Sequence, residues 1–118
     1  MRQIKFALIL IVSLLVPVIS HAGDRELVMF SSKSCVYCQV FNREVAPNYR
    51  WSKAARKAPL MEIDLNKYGS GGYSLKRGIT VTPTFVMFRR GREVARILGY
   101  PGKKNFYKLV NHMLKRAK

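Results

Sequence analysis

The strongest constraint on the fold is a change in apolar spacing at residue 35. The run Glu26–Ser31 (ELVMFS) is short, apolar and rich in strand formers, which predicts a buried β-strand. After the polar letters SSKS, in which Ser34 is a candidate helix N-cap, apolar side chains recur at every fourth position. This face of a predicted helix consists of Tyr37, Phe41, Val45 and Tyr49. The only two cysteines of the chain, Cys35 and Cys38, lie where the strand pattern gives way to the helix pattern.

The rest of the chain continues the alternation of strands and helices. Pro47 predicts the end of the first helix, and WSKAARKA predicts one or two further turns. The later predicted elements are a strand at Leu60–Leu65, a loop NKYGSGGYS, a short helix SLKRG ending at Gly78, a hairpin of Thr84–Arg90 and Arg92–Leu98, and an amphipathic helix at Lys103–Lys115. A strand–helix–strand unit makes the first two strands parallel, and the hairpin adds antiparallel strands. The sequence therefore predicts an α/β fold with a mixed central sheet covered by helices.

The N-terminal segment predicts export from the cytosol. The letters MRQIKFALILIVSLLVPVISHA contain two early basic residues, an apolar run and a small-residue cleavage motif, which is the layout of a secretory signal peptide cut after Ala22. An uncleaved membrane anchor is the alternative, but the apolar run is shorter than the roughly 20 residues that span a bilayer. We therefore predict a signal peptide at residues 1–22 and one domain at residues 23–118.

The charge balance of the chain is strongly basic. Lysine and arginine total 22 against 6 aspartate and glutamate residues, so the formal net charge is +16. A surface of this kind suits an acidic partner or association with anionic lipid, and it also keeps a small domain soluble. Nucleic acid is not an expected partner, because an exported chain rarely meets it and no base-reading motif is present.

Three kinds of chemistry are open to a cysteine pair with two residues between its members. A structural zinc ion needs four ligands, and beyond residue 22 the chain offers only His112 besides the two cysteines. A purely structural disulfide would close a very small ring and would remove little entropy from the unfolded chain. Both interpretations are therefore weaker than the third, which is thiol–disulfide exchange.

The position of the pair supplies a mechanism for this exchange. Cys35 lies at the predicted start of a helix, where unpaired N–H groups and the helix dipole stabilise a thiolate, and Lys33 adds positive potential. Cys35 would attack the disulfide of a partner, and Cys38, one turn later, would resolve the mixed disulfide. We assign Cys35 as the nucleophile and Cys38 as the resolving thiol, with no cofactor.

The motifs SCVYCQVF and VTPTFVMF, followed by a hairpin and a terminal helix, resemble the thioredoxin superfamily over Glu26–Leu114. The resemblance implies a thioredoxin-like fold with a minimal βαβ-(α)-ββα core. It also implies that Pro83 follows a cis peptide bond beside the cysteine pair, and that Thr82 and Pro83 shape a groove in which a substrate strand pairs with free backbone groups. Val36 and Tyr37 would tune the pair and contact the partner.

The chain departs from the usual thioredoxin pattern in two places. Ser34 stands where thioredoxins usually have a tryptophan, and Met29 stands where they often have a buried acid. A local carboxylate that takes the proton of Cys38 is therefore not expected on this strand.

The stretches ELVMFSSKSCVYCQVFNREVAPNY, APLMEIDL and VTPTFVMFRRGREVARILGYPG together carry a narrower resemblance. They resemble the small periplasmic thioredoxins encoded with bacterial sulfur-oxidation systems, the SoxS type. It implies a periplasmic monomer that keeps the sulfur-carrier protein SoxYZ reduced, with electrons delivered by a membrane thiol relay of the CcdA or DsbD kind. A general periplasmic disulfide reductase or a thiol oxidase is the alternative within the same chemistry. A non-catalytic basic binding module with an inert disulfide is the alternative from another class.

Overall fold

The computed structural model describes residues 24–116, so the predicted signal peptide and its cleavage site lie outside the described part of the chain. The elements in chain order are β1 (Arg25–Ser31), α1 (Val36–Glu44), α2 (Ala46–Tyr49), α3 (Lys53–Lys57), β2 (Leu60–Asp64), α4 (Leu65–Tyr68), β3 (Thr84–Arg89), β4 (Arg92–Leu98) and α5 (Lys103–Arg116). No helix within residues 24–116 has the length and apolar character needed to cross a bilayer.

The four strands form one mixed sheet in the order β2-β1-β3-β4. β1 is parallel to β2, because α1, α2 and α3 carry the chain back to the end of the sheet at which β1 began. β3 is antiparallel to both β1 and β4. The predicted α/β fold with a mixed central sheet is therefore confirmed.

The strand directions give the sheet two ends with different residues. At one end, here called the cysteine end, β1 leads toward Cys35, and Phe30 pairs with Thr84 at the start of β3. At the other, here called the arginine end, Arg25 of β1 pairs with Arg89 of β3.

Both faces of the sheet are covered, which explains why β1 is buried from Leu27 to Ser31. Successive side chains of a strand point to opposite faces, so Leu27 joins one apolar cluster and Val28 joins the other. The larger cluster lies against α1 and α5. Three phenylalanine rings of this cluster contact one another. The centroid distances are 4.7 Å for Phe41 and Phe85, 4.9 Å for Phe85 and Phe106, and 5.0 Å for Phe41 and Phe106.

The short helix predicted in SLKRG is not formed. Ser74 makes an isolated bridge with Arg92, and the N–H of Lys76 donates to the Glu93 carboxylate at 3.0 Å. The carbonyls of Arg77 and Gly78 accept hydrogen bonds from the Arg96 guanidinium. The segment is therefore held by side chains of β4 and not by hydrogen bonds within a helix.

A short helix forms earlier instead, within a segment predicted as strand and loop. The second strand ends at Asp64, one residue before the predicted boundary, because the Asp64 carboxylate accepts a hydrogen bond from the Asn66 N–H at 2.8 Å and caps α4.

Candidate active site

The two cysteines lie at the junction of β1 and α1 and form a disulfide. Cys35 is the N-cap of α1, with the extended backbone that a cap residue needs, and its sulfur accepts a hydrogen bond from the Cys38 N–H at 3.0 Å. The prediction that Ser34 caps the helix is therefore wrong. Ser34 lies instead inside a turn that is closed by the Cys35 N–H donating to the Ser32 carbonyl.

The disulfide is largely buried, whereas the two residues inside it are exposed. Cys35 and Cys38 expose 7% and 3% of their surface, against 66% for Val36 and 64% for Tyr37. The surface beside the buried disulfide is therefore formed in part by Val36 and Tyr37.

The exposure of Tyr37 corrects the predicted apolar face of the first helix. The buried stripe of α1 runs through Cys38 and Phe41. These two residues are three positions apart, and Tyr37 precedes Cys38 by one residue, which turns it by about 100° away from the stripe. The small cysteine thus takes the core position in the first turn, and the tyrosine points outward.

Thr82 and Pro83 lie directly before β3, at the cysteine end of the sheet. Their peptide bond is cis. Pro83 is buried, its carbonyl accepts a hydrogen bond from the Gly99 N–H at 2.8 Å, and the hydroxyls of Thr82 and Ser32 lie 3.0 Å apart. The ladder of β1 with β3 stops at the pair Phe30–Thr84, so the backbone of Thr82 lies beyond the ladder.

A cavity of about 440 Å³ opens beside the disulfide. One wall contains Cys35 and Cys38, and the other contains Glu62, Asp64 and Lys67 from β2 and α4. None of these three residues was predicted from the sequence as part of the site. The signal that could have found them is the parallel strand pair, because parallel strands joined by a crossover end at the same edge of the sheet.

Met29, at the position where the resemblance places an acid, is fully buried in the larger apolar cluster, which also contains both cysteines. The carboxylates that the structure brings to the same cavity as Cys38 are Glu62 and Asp64. Any carboxylate route for the proton of Cys38 therefore leads through the cavity and not through β1.

Within residues 24–116 no group of three or more His, Cys, Asp or Glu side chains could hold a metal ion. His112 lies exposed on α5.

The comparisons with known proteins agree with this geometry. Residues 17–114 match the family described as Thioredoxin-like domain. The periplasmic thioredoxin SoxS from Paracoccus pantotrophus is 32% identical, with a TM-score of 0.75 over 80% of this chain and 99% of that chain. A comparison with curated protein sequences finds no match.

Two more distant structures share the fold. Thioredoxin f2 from Chlamydomonas reinhardtii is 19% identical, with a TM-score of 0.61 over 79% of this chain and 82% of that chain. Thioredoxin from Plasmodium falciparum is 24% identical, with a TM-score of 0.56 over 76% of this chain and 81% of that chain. Members of the family act through their own cysteine pair without a cofactor. The chain therefore belongs to the thioredoxin-like family of thiol–disulfide oxidoreductases.

Proposed function

We propose that this oxidoreductase is a periplasmic reductase of protein disulfides or related sulfur adducts, with Cys35 as the nucleophile and Cys38 as the resolving thiol. The observation that carries the proposal is the position of the Cys35 sulfur at the N-cap of α1, where it accepts the Cys38 N–H. In the reduced protein the same N–H and the positive end of the helix stabilise a thiolate.

The reaction consists of two exchanges. The Cys35 thiolate attacks one sulfur of the partner disulfide, a Cys35–partner bond forms, and the second partner sulfur leaves as a thiolate. The Cys38 thiol then loses its proton to solvent in the cavity that it lines, and its sulfur attacks the Cys35 sulfur. The bond between Cys35 and the partner breaks, and the first partner sulfur leaves as a thiolate. Two electrons have passed to the partner, and the chain ends in the disulfide form described above.

The partner is held beside the disulfide by surface that the fold leaves available. Val36 and Tyr37 are exposed next to the cysteines, and the backbone of Thr82 before Pro83 lies beyond the β1–β3 ladder. An extended segment of the partner would pair with this backbone as an added strand, which places its disulfide against Cys35.

The cellular role that we propose is the reduction of the sulfur carrier SoxYZ in the periplasm. The similarity to the SoxS structure supports this role, and the predicted signal peptide at residues 1–22 supports the compartment. A membrane thiol relay of the CcdA or DsbD kind would return two electrons and two protons to the Cys35–Cys38 disulfide after each turnover.

The experiment that tests the proposal is a trap. Replacing Cys38→Ser removes the resolving thiol, so the mixed disulfide through Cys35 accumulates in the periplasm and mass spectrometry identifies the partner. The double variant Cys35→Ser/Cys38→Ser is the matched control and should trap nothing.

Each outcome of the trap decides between candidate functions. Recovery of the SoxY subunit as the main adduct supports the dedicated role, whereas many unrelated proteins support a general reductase. Adducts only with proteins whose disulfides have just formed support a thiol oxidase, because such proteins are the products of that activity. An absence of adducts, together with no insulin reduction by the wild-type protein, supports a non-catalytic basic binding module.

A further inference from the structure

Three arginines lie side by side at the arginine end of the sheet. Arg25 of β1 is the register partner of Arg89 of β3, and Arg89 is the partner of Arg92 of β4. Like charges directly opposite each other on neighbouring strands destabilise a sheet. Within residues 24–116, the one carboxylate that forms an ion pair with this row is that of Asp24, at 3.6 Å from Arg89, and it is shared with Arg90 at 3.3 Å. The row therefore carries uncompensated positive charge.

Two other segments bring further basic residues to the same end. The Leu27 N–H donates to the Pro59 carbonyl at 2.9 Å, so the chain that follows α3 reaches the start of β1. The Arg25 guanidinium donates to the Leu114 carbonyl at 3.3 Å, so the last turn of α5 reaches the same place. The exposed basic residues of these segments are Arg56, Lys57, Lys115 and Arg116. Arg50, which is also exposed, lines one cavity with Pro59 and so lies at the same end.

Trp51 adds an apolar element to this basic surface. It lies between α2 and α3, it is the only tryptophan of the chain, and it exposes 74% of its surface. The Arg50 guanidinium lies 5.4 Å from its ring centroid. Tryptophan beside arginine and lysine is the combination found at membrane–water interfaces, where the ring lies among the headgroups and the cations meet lipid phosphates.

We propose that the arginine end of the domain docks on an anionic phospholipid bilayer, with Trp51 in the headgroup region. The basic residues are spread over the arginine end, and an anionic lipid surface presents negative headgroups over a comparable area. These headgroups also reduce the repulsion within the row of arginines. This inference goes beyond the redox function and does not depend on it.

A protein substrate does not account for this surface. The substrate of the cysteine pair is proposed to dock at the cysteine end, and the length of β1, from Arg25 to Ser31, separates that end from the arginine end. Docking on lipid through the arginine end therefore leaves the disulfide facing the aqueous phase, where it is open to soluble proteins.

The test uses Trp51 fluorescence and vesicle sedimentation on the exported protein, with its N-terminus determined by intact mass. Vesicles of phosphatidylglycerol mixed with phosphatidylcholine are compared with vesicles of phosphatidylcholine alone. We expect a blue shift of Trp51 emission and co-sedimentation with the anionic vesicles only, and both effects should weaken as the salt concentration rises.

Two triple variants remove the same number of charges from different ends. Arg50→Gln/Lys57→Gln/Arg92→Gln removes three charges from the arginine end, and each lost charge should lower vesicle affinity about fivefold, or on the order of 100-fold together. Lys103→Gln/Lys104→Gln/Lys108→Gln neutralises the first turns of α5, near the cysteine end, and should lower affinity no more than a few fold. Insulin reduction at the wild-type rate by both variants shows that both are folded.

Several results would overturn the proposal. Equal losses of affinity in the two triples would show that binding depends on total charge and not on the arginine end. Binding without a shift of Trp51 emission, or equal binding to neutral vesicles, would exclude the proposed contact. Tighter binding to an acidic peptide or to an oligonucleotide than to anionic vesicles at matched charge would assign the surface to another class of partner.

Discussion

The hydroxyl oxygens of Ser32 and Thr82 lie 3.0 Å apart, although the two residues are 50 positions apart in the sequence. Ser32 also accepts the Cys35 N–H through its carbonyl, and Thr82 directly precedes Pro83. The hydrogen bond therefore joins the loop before Cys35, the proposed nucleophile, to the segment that is proposed to hold the substrate strand.

Removing this bond should weaken the coupling between the two loops. In a double-mutant cycle of Ser32→Ala and Thr82→Val, we expect a coupling free energy of about 1 kcal/mol from urea denaturation. The kcat/KM for a protein disulfide should fall severalfold in each single variant, because the substrate backbone and the Cys35 sulfur are no longer held in one geometry. Strictly additive single effects would contradict the prediction.

Cys35 should be the reactive thiol of the reduced protein. Its sulfur has a hydrogen-bond donor in the Cys38 N–H and lies at a helix start, whereas Cys38 lies inside the first turn. We expect iodoacetamide to modify Cys35 at least about tenfold faster than Cys38 at neutral pH. Peptide mapping after a short pulse measures the two rates, and the Cys35→Ser variant is the control, which should react slowly. Equal rates for the two thiols would remove the structural basis of the assignment.

The ion pair of Glu93 and Arg96 should make stability depend on pH. Two guanidinium N–H groups of Arg96 donate to the two Glu93 oxygens at 2.7 Å, and both side chains are buried. The hydrogen bonds from Arg96 hold the pKa of the Glu93 carboxyl below its ordinary value of 4.5. A carboxyl with a lowered pKa in the folded state stabilises that state above the unfolded pKa, and the contribution is lost as the pH falls through the folded pKa.

We therefore expect Glu93→Gln to lower the free energy of unfolding by about 3 kcal/mol at neutral pH, because the buried charge of Arg96 loses its carboxylate partner. The difference in the free energy of unfolding between the wild type and Glu93→Gln should become smaller as the pH falls through the lowered pKa of Glu93, because the wild-type carboxyl is then protonated as well. Thermal unfolding across a pH series measures both effects, with the exposed Glu62→Gln as the control. A difference that stays constant from neutral to acidic pH would show that the ionised pair is not its source.

The buried hydroxyl of Tyr49 should contribute to stability but not to catalysis. It donates to the Ala58 carbonyl at 2.7 Å and so fixes the segment between α2 and β2. Burial raises the pKa of Tyr49 above its ordinary value, so the group stays protonated and remains a donor. Tyr49→Phe leaves the carbonyl unpaired and should cost about 1–3 kcal/mol. The exposed Tyr37→Phe should cost little, and a similar loss in both variants would contradict this account.

The redox chemistry and the class of fold could be predicted from local sequence. The junction of strand and helix at Cys35 can be read from the spacing of apolar residues close to it in the sequence. The reactivity of the cysteine pair depends only on that junction, because the helix start stabilises the thiolate. For the same reason the hairpin around Gly91 and the terminal helix are found where the apolar spacing places them. The predicted secondary structure was wrong where side chains distant in the sequence bind the backbone. Glu93 and Arg96 bind the backbone of SLKRG, and the helix predicted there is not formed.

The composition of the sites was decided only by tertiary structure. Glu62 and Asp64 reach the cavity because β2 runs parallel to β1, and Thr82 reaches Ser32 because β3 starts at the cysteine end. The basic residues are scattered along the sequence, yet the strand register gathers Arg25, Arg89 and Arg92 into one row. The sequence by itself determined the reactive pair, since its chemistry depends on a local helix start. The surroundings of the pair and the uneven distribution of charge depend on contacts between distant segments, which only the folded chain brings together.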